Sequence, residues 1–307
     1  MTSTTATVPV NRDAIFGVAF AILAAIGYSA KAIFIKLAYV YPVDAITLLA
    51  LRMVLSVPFF IGVAVWAHMR HDAQLTSRDW LLVLVLGLVG YYLSSLLDFL
   101  GLQYVTAGME RLILFLYPTM TVIIMAVMYR QPISRMTLAA MALSYAGIAI
   151  VFLHNMGSKP DSNIVLGATL VFLATLTYSS YLVGAGHAIA RIGATRFAAY
   201  AMIVSSAATL LQFFLTRPVA ALVLPLRVYE LSFAMALLST VLPVFLLAYA
   251  IHRIGSGSAS LIGSIGPVST IYMAYVFLHE QLSLLQVFGS SLVLVGVLIV
   301  SMNSKRQ

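Results

Sequence analysis

Long apolar runs fill the chain almost from end to end, and short polar stretches separate them. The runs are about 20 residues long, which is the length of an α-helix that crosses the hydrocarbon core of a bilayer. Because several connections are very short, neighbouring helices are expected to pack as antiparallel hairpins. The pattern predicts an all-α polytopic membrane protein with ten helices, near residues 14–37, 44–66, 79–101, 104–128, 134–153, 164–185, 196–215, 228–250, 255–278 and 282–302.

Composition excludes a soluble protein. Charged residues make up 8% of the chain and hydrophobic residues 62%, whereas a soluble domain has about 25% charged residues. The net charge of +8 comes mostly from Lys and Arg in short loops, which indicates membrane orientation rather than nucleic-acid binding. The absence of cysteine excludes disulfides, thiolate metal sites and cysteine nucleophiles, and no metal-ligand spacing is present.

The distribution of basic residues predicts that both termini face the cytoplasm. With the N-terminus inside, three basic residues fall in outer loops: Lys159, Arg217 and Arg227. Ten fall on the inner side: Arg12, Arg70, Arg78, Arg130, Arg135, Arg191, Arg196, Arg253, Lys305 and Arg306.

The second half of the chain repeats the first. Pro118 and Ser134 match Pro267 and Ser283, 149 positions later, without a gap. Each half has five predicted spans, an odd number, so the halves must enter the membrane in opposite senses as an inverted repeat. The predicted organisation is an N-terminal cytoplasmic tail (1–13), a first five-helix repeat (14–153), an extracytoplasmic linker (154–163), a second five-helix repeat (164–302) and a C-terminal cytoplasmic tail (303–307).

Five ionisable residues fall inside predicted spans: Lys31, Arg52, Asp98, Glu110 and Arg111. A charge at the bilayer centre costs at least about 2.5–3.5 kcal/mol, so we expect these residues to be paired or to line a wet cavity. All five map to the outer half of the first repeat. Two hypotheses follow: a charged outer vestibule that releases a zwitterionic or anionic solute, or salt bridges that lock the outer helices together. The charged positions have neutral counterparts in the second half: Lys31 with Tyr181, Glu110 with Ala259 and Arg111 with Ser260.

One polar face runs along the third helix, because Tyr91, Ser94, Ser95 and Asp98 fall at positions i, i+3, i+4 and i+7. This face is expected to line a pore, with packing against other helices as the alternative. Burial would allow Asp98 to exchange a proton, and Glu110 is the rival proton carrier. Glu110 and its neighbour Arg111 point about 100° apart and are not expected to pair.

Aromatic and proline positions complete the predicted site. Tyr28 lies one turn before Lys31, and its repeat mate Tyr178 lies one turn before Tyr181, so these side chains are expected to face a common axis. Tyrosine offers a ring to apolar or cationic groups and a hydroxyl to polar ones. Two prolines lie mid-helix at matching places and are predicted hinges, with plain packing kinks as the alternative. They are Pro118 and Pro267.

Residues 101–118, 250–267 and 279–299, with residues 48–60 around Arg52, resemble the drug/metabolite transporter superfamily, EamA type. The resemblance implies two inverted five-helix halves, a central cavity, and export or exchange of small metabolites such as amino acids. Its glutamate motif survives in one half, since Glu280 has Gln131 as its repeat mate. We therefore give Glu280 no symmetric mechanistic role and interpret it as a cap for the N-terminus of the tenth helix.

The sequence contains no Walker loop and no dinucleotide, zinc-protease or hydrolase motif. We predict a secondary transporter of the bacterial cytoplasmic membrane that works by alternating access without a cofactor. Its expected partners are a small solute and the lipid bilayer, with protons as a candidate, in a monomer or homodimer. A lipid-modifying enzyme built on Asp98 and Glu110, or a channel, is the alternative. The predicted substrate-binding residues are Tyr28, Lys31, Tyr91, Ser95, Asp98, Glu110, Arg111, Tyr178 and Tyr181.

Overall fold

A computed structural model of the chain describes residues 12–69, 75–130, 132–158 and 163–303. Every long regular element in this part of the chain is a helix. The helices are α1 (Arg12–Ala38), α2 (Ala45–Met69), α3 (Ser77–Gly101), α4 (Ala107–Leu114 and Tyr117–Tyr129), α5 (Arg135–Ser158), α6 (Ile164–Ile192), α7 (Ala194–Thr216), α8 (Leu226–Ala236, Leu237–Val241 and Leu242–Gly263), α9 (Ile265–Leu278) and α10 (Leu284–Asn303).

The helical plan agrees with a polytopic membrane protein. Among the described residues, nine helical stretches are long and apolar enough to cross a membrane, and α9, with 14 residues, is shorter. Most helices begin and end within a few residues of the predicted positions. Several residues named in the sequence analysis lie outside the described ranges: Arg70, Gln131, Lys159, Lys305 and Arg306.

The predicted break between residues 250 and 255 is wrong, because α8 continues as a helix to Gly263. In the first repeat, Thr106 begins α4 by accepting a hydrogen bond from the Met109 N–H at 3.2 Å. The position that matches Thr106 is Gly255, which has no side chain to cap a new helix. No proline interrupts residues 250–263 either, so nothing ends α8 there.

Both repeats break where the mid-helix prolines predict. A proline has no N–H to donate to the carbonyl four residues earlier, and those carbonyls belong to Leu114 and Gly263. These two residues end the helical segments that precede Pro118 and Pro267. The breaks are therefore a direct consequence of sequence, and their use as hinges stays a prediction.

Repeat mates pack against each other in opposite directions. Arg217, just after α7, contacts Asp44, just before α2, with Nε 3.0 Å from Oδ1. At the other end of this pair of helices, the Nη2 atom of Arg196, near the start of α7, lies 3.4 Å from the Nδ1 atom of His68, near the end of α2. Helices α2 and α7 are thus antiparallel.

Helices α5 and α10 repeat this antiparallel relation through glycines. Gly147 packs on the backbone of Gly289, and Gly296 packs on Ser144 two turns away. The first helix of each repeat packs on the other repeat. Helix α1 packs mainly against α8 and α9, and α6 packs mainly against α3 and α4. The interface of the two halves therefore includes α1 and α6 as well as the pairs α2–α7 and α5–α10.

The third helix of each repeat contains a π-helical turn that the apolar pattern does not predict. The turns are Gly87–Leu93 in α3 and Leu237–Val241 in α8, and they occupy matching positions in the two halves. Such turns widen a helix locally and are frequent at functional sites. The turn in α3 contains Tyr91, one of the predicted site residues.

Candidate functional site

Three of the predicted site residues form a buried charged cluster: Lys31, Asp98 and Glu110. The Lys31 Nζ atom lies 2.5 Å from Asp98 Oδ2 and 3.6 Å from Glu110 Oε1. The side chains of Asp98 and Glu110 are 2% and 0% exposed, and that of Lys31 is 19% exposed. Two carboxyl groups therefore share one ammonium group away from solvent.

Three helices hold this charged cluster in place. Lys31 lies on α1, Asp98 follows the π-helical turn of α3, and Glu110 lies in the first turn of α4. A helix N-terminus favours a negative charge, which suits Glu110. Asp98 Oδ1 and both carboxyl oxygens of Glu110 accept no hydrogen bond. Buried acceptors without donors are costly, so the cluster is better suited to binding than to holding the fold together.

The two remaining span charges flank the cluster without joining it. Arg52 donates a hydrogen bond to Ser95 Oγ at 3.3 Å, and its guanidinium lies 5.2 Å from the centre of the Phe99 ring. Arg111 packs against Gly266 of α9, where an added Cβ would lie 2.6 Å from its NH2 atom. The Nε atom of Arg111 is buried without a hydrogen-bond partner. Arg111 is thus placed to receive an anionic group.

Next to these charges lies a tyrosine cluster of five side chains: Tyr28, Tyr91, Tyr117, Tyr178 and Tyr181. The hydroxyls of Tyr91 and Tyr181 are 3.0 Å apart, and their ring centres are 5.0 Å apart. Tyr178 packs on Tyr181 and on Tyr117, with ring centres 5.7 Å apart in each case. Tyr28 is close enough to Tyr91 and Tyr178 for direct electrostatic interaction. That Tyr28 and its repeat mate Tyr178 face a common axis stays a prediction.

The sequence argument missed Tyr117. The sequence feature that could have indicated Tyr117 is its position immediately before Pro118, at the break of α4. The π-helical turn of α3 also contributes through Gly90, where an added Cβ would lie 2.2 Å from the Tyr181 ring. Glycine is required there because the ring rests directly on the helix backbone.

Side chains of the polar face predicted along α3 form hydrogen bonds with other helices of the protein. Tyr91 bonds to Tyr181, Ser94 donates to the Ala174 carbonyl at 3.1 Å, and Ser95 accepts from Arg52. Ser94 thus packs α3 on α6, and the other three positions face the candidate site. In this conformation the site is closed around its own side chains.

Two cavities of about 350 and 380 Å³ lie at the end of the molecule where α1 ends and α2 begins, here called the α1–α2 end. Residues shared by both are Lys36, Val40 and Gln103. Neither cavity is lined by the charged cluster or the tyrosine cluster. They therefore form a surface opening at this end rather than the expected central cavity.

Glu280 does not cap the tenth helix as expected. Ser283 does so by accepting from the Gln286 N–H at 3.1 Å. Glu280 instead caps α4 of the other repeat, accepting from the Ala107 N–H at 2.8 Å and the Gly108 N–H at 3.3 Å. The sequence argument considered only the adjacent helix, whereas the free N–H groups nearest in space belong to α4.

Replacing Glu280 by glutamine is expected to lower the melting temperature of the protein by several degrees. The variant loses a charge that interacts with the α4 N-terminus, an interaction of about 0.5–2 kcal/mol. Melting of purified protein in detergent measures the change. Gln103→Glu, a charge change on an exposed residue of the same end, is the control, and an equal drop in both would contradict the cap.

Ion pairs join the two repeats at both ends of the molecule. At the α1–α2 end, burial would raise the pKa of Asp44, but hydrogen bonds from Thr47 and Arg217 outweigh it and hold that pKa below its usual value. At the opposite end, Arg191 of α6 pairs with Asp79 of α3, with Nε 3.1 Å from Oδ1. Each end therefore has an ion pair between the two repeats.

Comparisons with known proteins match this architecture. The model of a family described as the EamA-like transporter family matches twice, at residues 15–153 and 165–302. The uncharacterized transporter YcbK of Bacillus subtilis is 31% identical over 285 residues, covering 91% of this chain and 90% of that protein.

More distant proteins agree. The uncharacterized transporter YyaM of Bacillus subtilis is 24% identical, with 71% of this chain and 72% of that protein covered. A crystal structure of a protein that is 15% identical superposes with a TM-score of 0.62 over 94% of this chain and 98% of that one. This last likeness shows a shared fold.

Proposed function

The chain belongs to the EamA-like transporter family, and we propose that it is a secondary carrier of a small amino-acid-like metabolite that works by export or exchange. It is a multi-pass membrane protein, placed by this proposal in the bacterial cytoplasmic membrane with both termini inside. The observation that carries the proposal is the charged cluster, where two buried carboxyl groups retain oxygens without hydrogen-bond donors.

The arrangement of the site suits a solute that has both an ammonium and a carboxylate group. Asp98 and Glu110 present acceptors for the ammonium, and the Nε atom of Arg111 lacks a partner and suits the carboxylate. The tyrosine cluster supplies rings to an apolar side chain and hydroxyls to polar groups. Ionised groups inside a bilayer protein are costly and are typical of substrate or ion pathways.

The relation between the repeats suits alternating access. Antiparallel packing of α2 with α7 and of α5 with α10 is what inverted repeats produce, and such repeats expose one site to either side in turn. The breaks before Pro118 and Pro267 are the proposed hinges. The ion pairs Asp44–Arg217 and Asp79–Arg191 are the contacts that opening at one end or the other would break.

The proposal predicts trans-stimulated transport. A thermal-shift screen of amino acids and related metabolites on the purified protein selects the solutes, and counterflow in proteoliposomes then tests each one that stabilises the protein. A carrier accumulates labelled solute against an internal unlabelled pool, a channel does not, and an enzyme yields a product. Accumulation supports the proposal, and its absence for every stabilising solute contradicts it.

Arg111→Ala is expected to abolish this counterflow, since the solute carboxylate loses its cation. Arg227→Ala is the matched control because Arg227 lies on α8 with its side chain 63% exposed, paired with Glu230. Both variants should elute as folded protein on size exclusion. Equal transport by the two variants would show that Arg111 does not bind the solute.

A further inference from the structure

We propose that Lys31 is a tethered counter-cation: when the site holds no solute, its ammonium group offsets one of the two negative charges of Asp98 and Glu110, as the ammonium group of a bound solute does in its place. The empty and the loaded carrier then close with the same net charge in the cluster, so the empty carrier takes up no additional proton. This inference rests on the proposed carrier function and specifies how its charged cluster is regulated through the cycle.

The first support is the geometry of the charged cluster. Among the described residues, Lys31 is the basic residue within ion-pair distance of Asp98 or Glu110. Arg52 is directed to Ser95 and the Phe99 ring, and Arg111 to Gly266. If Lys31 left, both carboxylates would remain buried without an ion-pair partner, and each such charge costs several kcal/mol.

The second support is the different mobility of the partners. Both acids are fully buried on helices of the first repeat, whereas Lys31 is partly exposed and has a flexible four-carbon stem. Lys31 also lies on α1, which packs mainly against α8 and α9 of the second repeat. The ion pair therefore crosses the interface along which the repeats would move, and the ammonium is the partner that can swing away.

The third support is that the charged cluster exists once. The positions that match Lys31, Asp98 and Glu110 in the second repeat are Tyr181, Leu247 and Ala259. A single cluster means that one cation at a time pairs with the acids. A solute ammonium that binds there replaces the Lys31 ammonium, and the departure of the solute lets Lys31 return.

The test uses protons as the probe and needs no identified solute. The protein is reconstituted into vesicles of phosphatidylethanolamine and phosphatidylglycerol that contain pyranine, and the decay of an imposed pH gradient is recorded without added solute. Wild-type vesicles should decay like protein-free vesicles. Lys31→Gln should decay about tenfold faster or more, because its acids must bind one further proton at each closure, in place of the lost ammonium charge, and release it at each opening.

Three further variants isolate the cause. Lys31→Arg keeps a cation, so the pH gradient should decay as slowly as in wild-type vesicles. Lys36→Gln makes the same change five residues further along α1 and should hold the pH gradient as wild type does. Adding Asp98→Asn and Glu110→Gln to Lys31→Gln removes the groups that carry the proton and should restore a tight membrane.

The outcomes separate this inference from the proposed function. A fast leak in Lys31→Gln that the added acid-to-amide changes remove supports the inference. A leak that persists without the acids, a tight Lys31→Gln variant that elutes as folded protein, or an equally leaky wild type overturns it. Wild-type counterflow is measured separately, so a carrier that exchanges solute while Lys31→Gln stays tight refutes the inference alone.

Discussion

Replacing Gly147 by leucine is expected to push α5 away from α10 and to remove most of the folded protein. An added Cβ at Gly147 would lie 2.5 Å from the backbone oxygen of Gly289 and 2.9 Å from Val293 Cγ2. A backbone oxygen within a helix cannot rotate aside as a side chain can, so the whole of α10 must shift. Overpacking of this kind costs about 1–3 kcal/mol or more, and the folded yield on size exclusion and the melting temperature measure it.

Gly62→Leu is the matched control for this clash. Gly62 lies on α2 with nothing within 4 Å of an added Cβ, so the same enlargement there meets open space. It should leave the melting temperature near that of the wild type. A Gly147→Leu variant as stable as Gly62→Leu would mean that α5 and α10 do not pack through their glycines.

Sequence patterning was sufficient for features that depend on local chemistry. Runs of apolar residues gave the helices because length and hydropathy alone decide whether a segment suits a bilayer. The breaks before Pro118 and Pro267 followed from a missing N–H group. The cost of unpaired charge within a membrane predicted that the span charges would be paired or line a wet cavity, and the structure supplies the partners of Lys31, which are Asp98 and Glu110.

Features that depend on a partner from elsewhere in the chain were not predictable in this way. Glu280 was assigned to the adjacent helix, whereas it caps α4 of the other repeat. The continuation of α8 past residue 250 was missed for a local reason instead, because the prediction began a new helix at Gly255, which lacks the side-chain oxygen that Thr106 supplies in the first repeat. The π-helical turn of α3 leaves no mark in an apolar pattern, because Gly90 is explained by the Tyr181 ring that packs on it.

The asymmetry between the repeats now has a physical meaning. Paired glycines, paired prolines and paired π-helical turns occupy matching positions and shape the backbone of both halves. The charged cluster has no charged residues at the matching positions of the second repeat, so in the proposed carrier it supplies one binding site shared by two similar halves. This division is what a carrier that moves symmetrically around a single solute requires.

Replacing Asp98 by asparagine is expected to reduce solute affinity by about 100-fold, equivalent to about 3 kcal/mol. The change keeps the shape of the side chain and removes the charge that lies 2.5 Å from the Lys31 ammonium. Lys31 would keep Glu110, at 3.6 Å, so the variant should still fold, with a lower melting temperature. The half-saturation concentration in counterflow and the thermal shift at saturating solute measure the two effects.

Glu230→Gln makes the same acid-to-amide change in an ion pair that is open to solvent. Glu230 pairs with Arg227 at 2.7 Å, yet their side chains are 49% and 63% exposed, and exposed pairs contribute about 0–1 kcal/mol. Solute affinity and melting temperature should therefore stay near wild type. Both variants break one close contact between an acid and a base, so burial is the main difference between them. Equal effects of the two substitutions would show that the charged cluster is an ordinary salt bridge and would remove it from the proposed site.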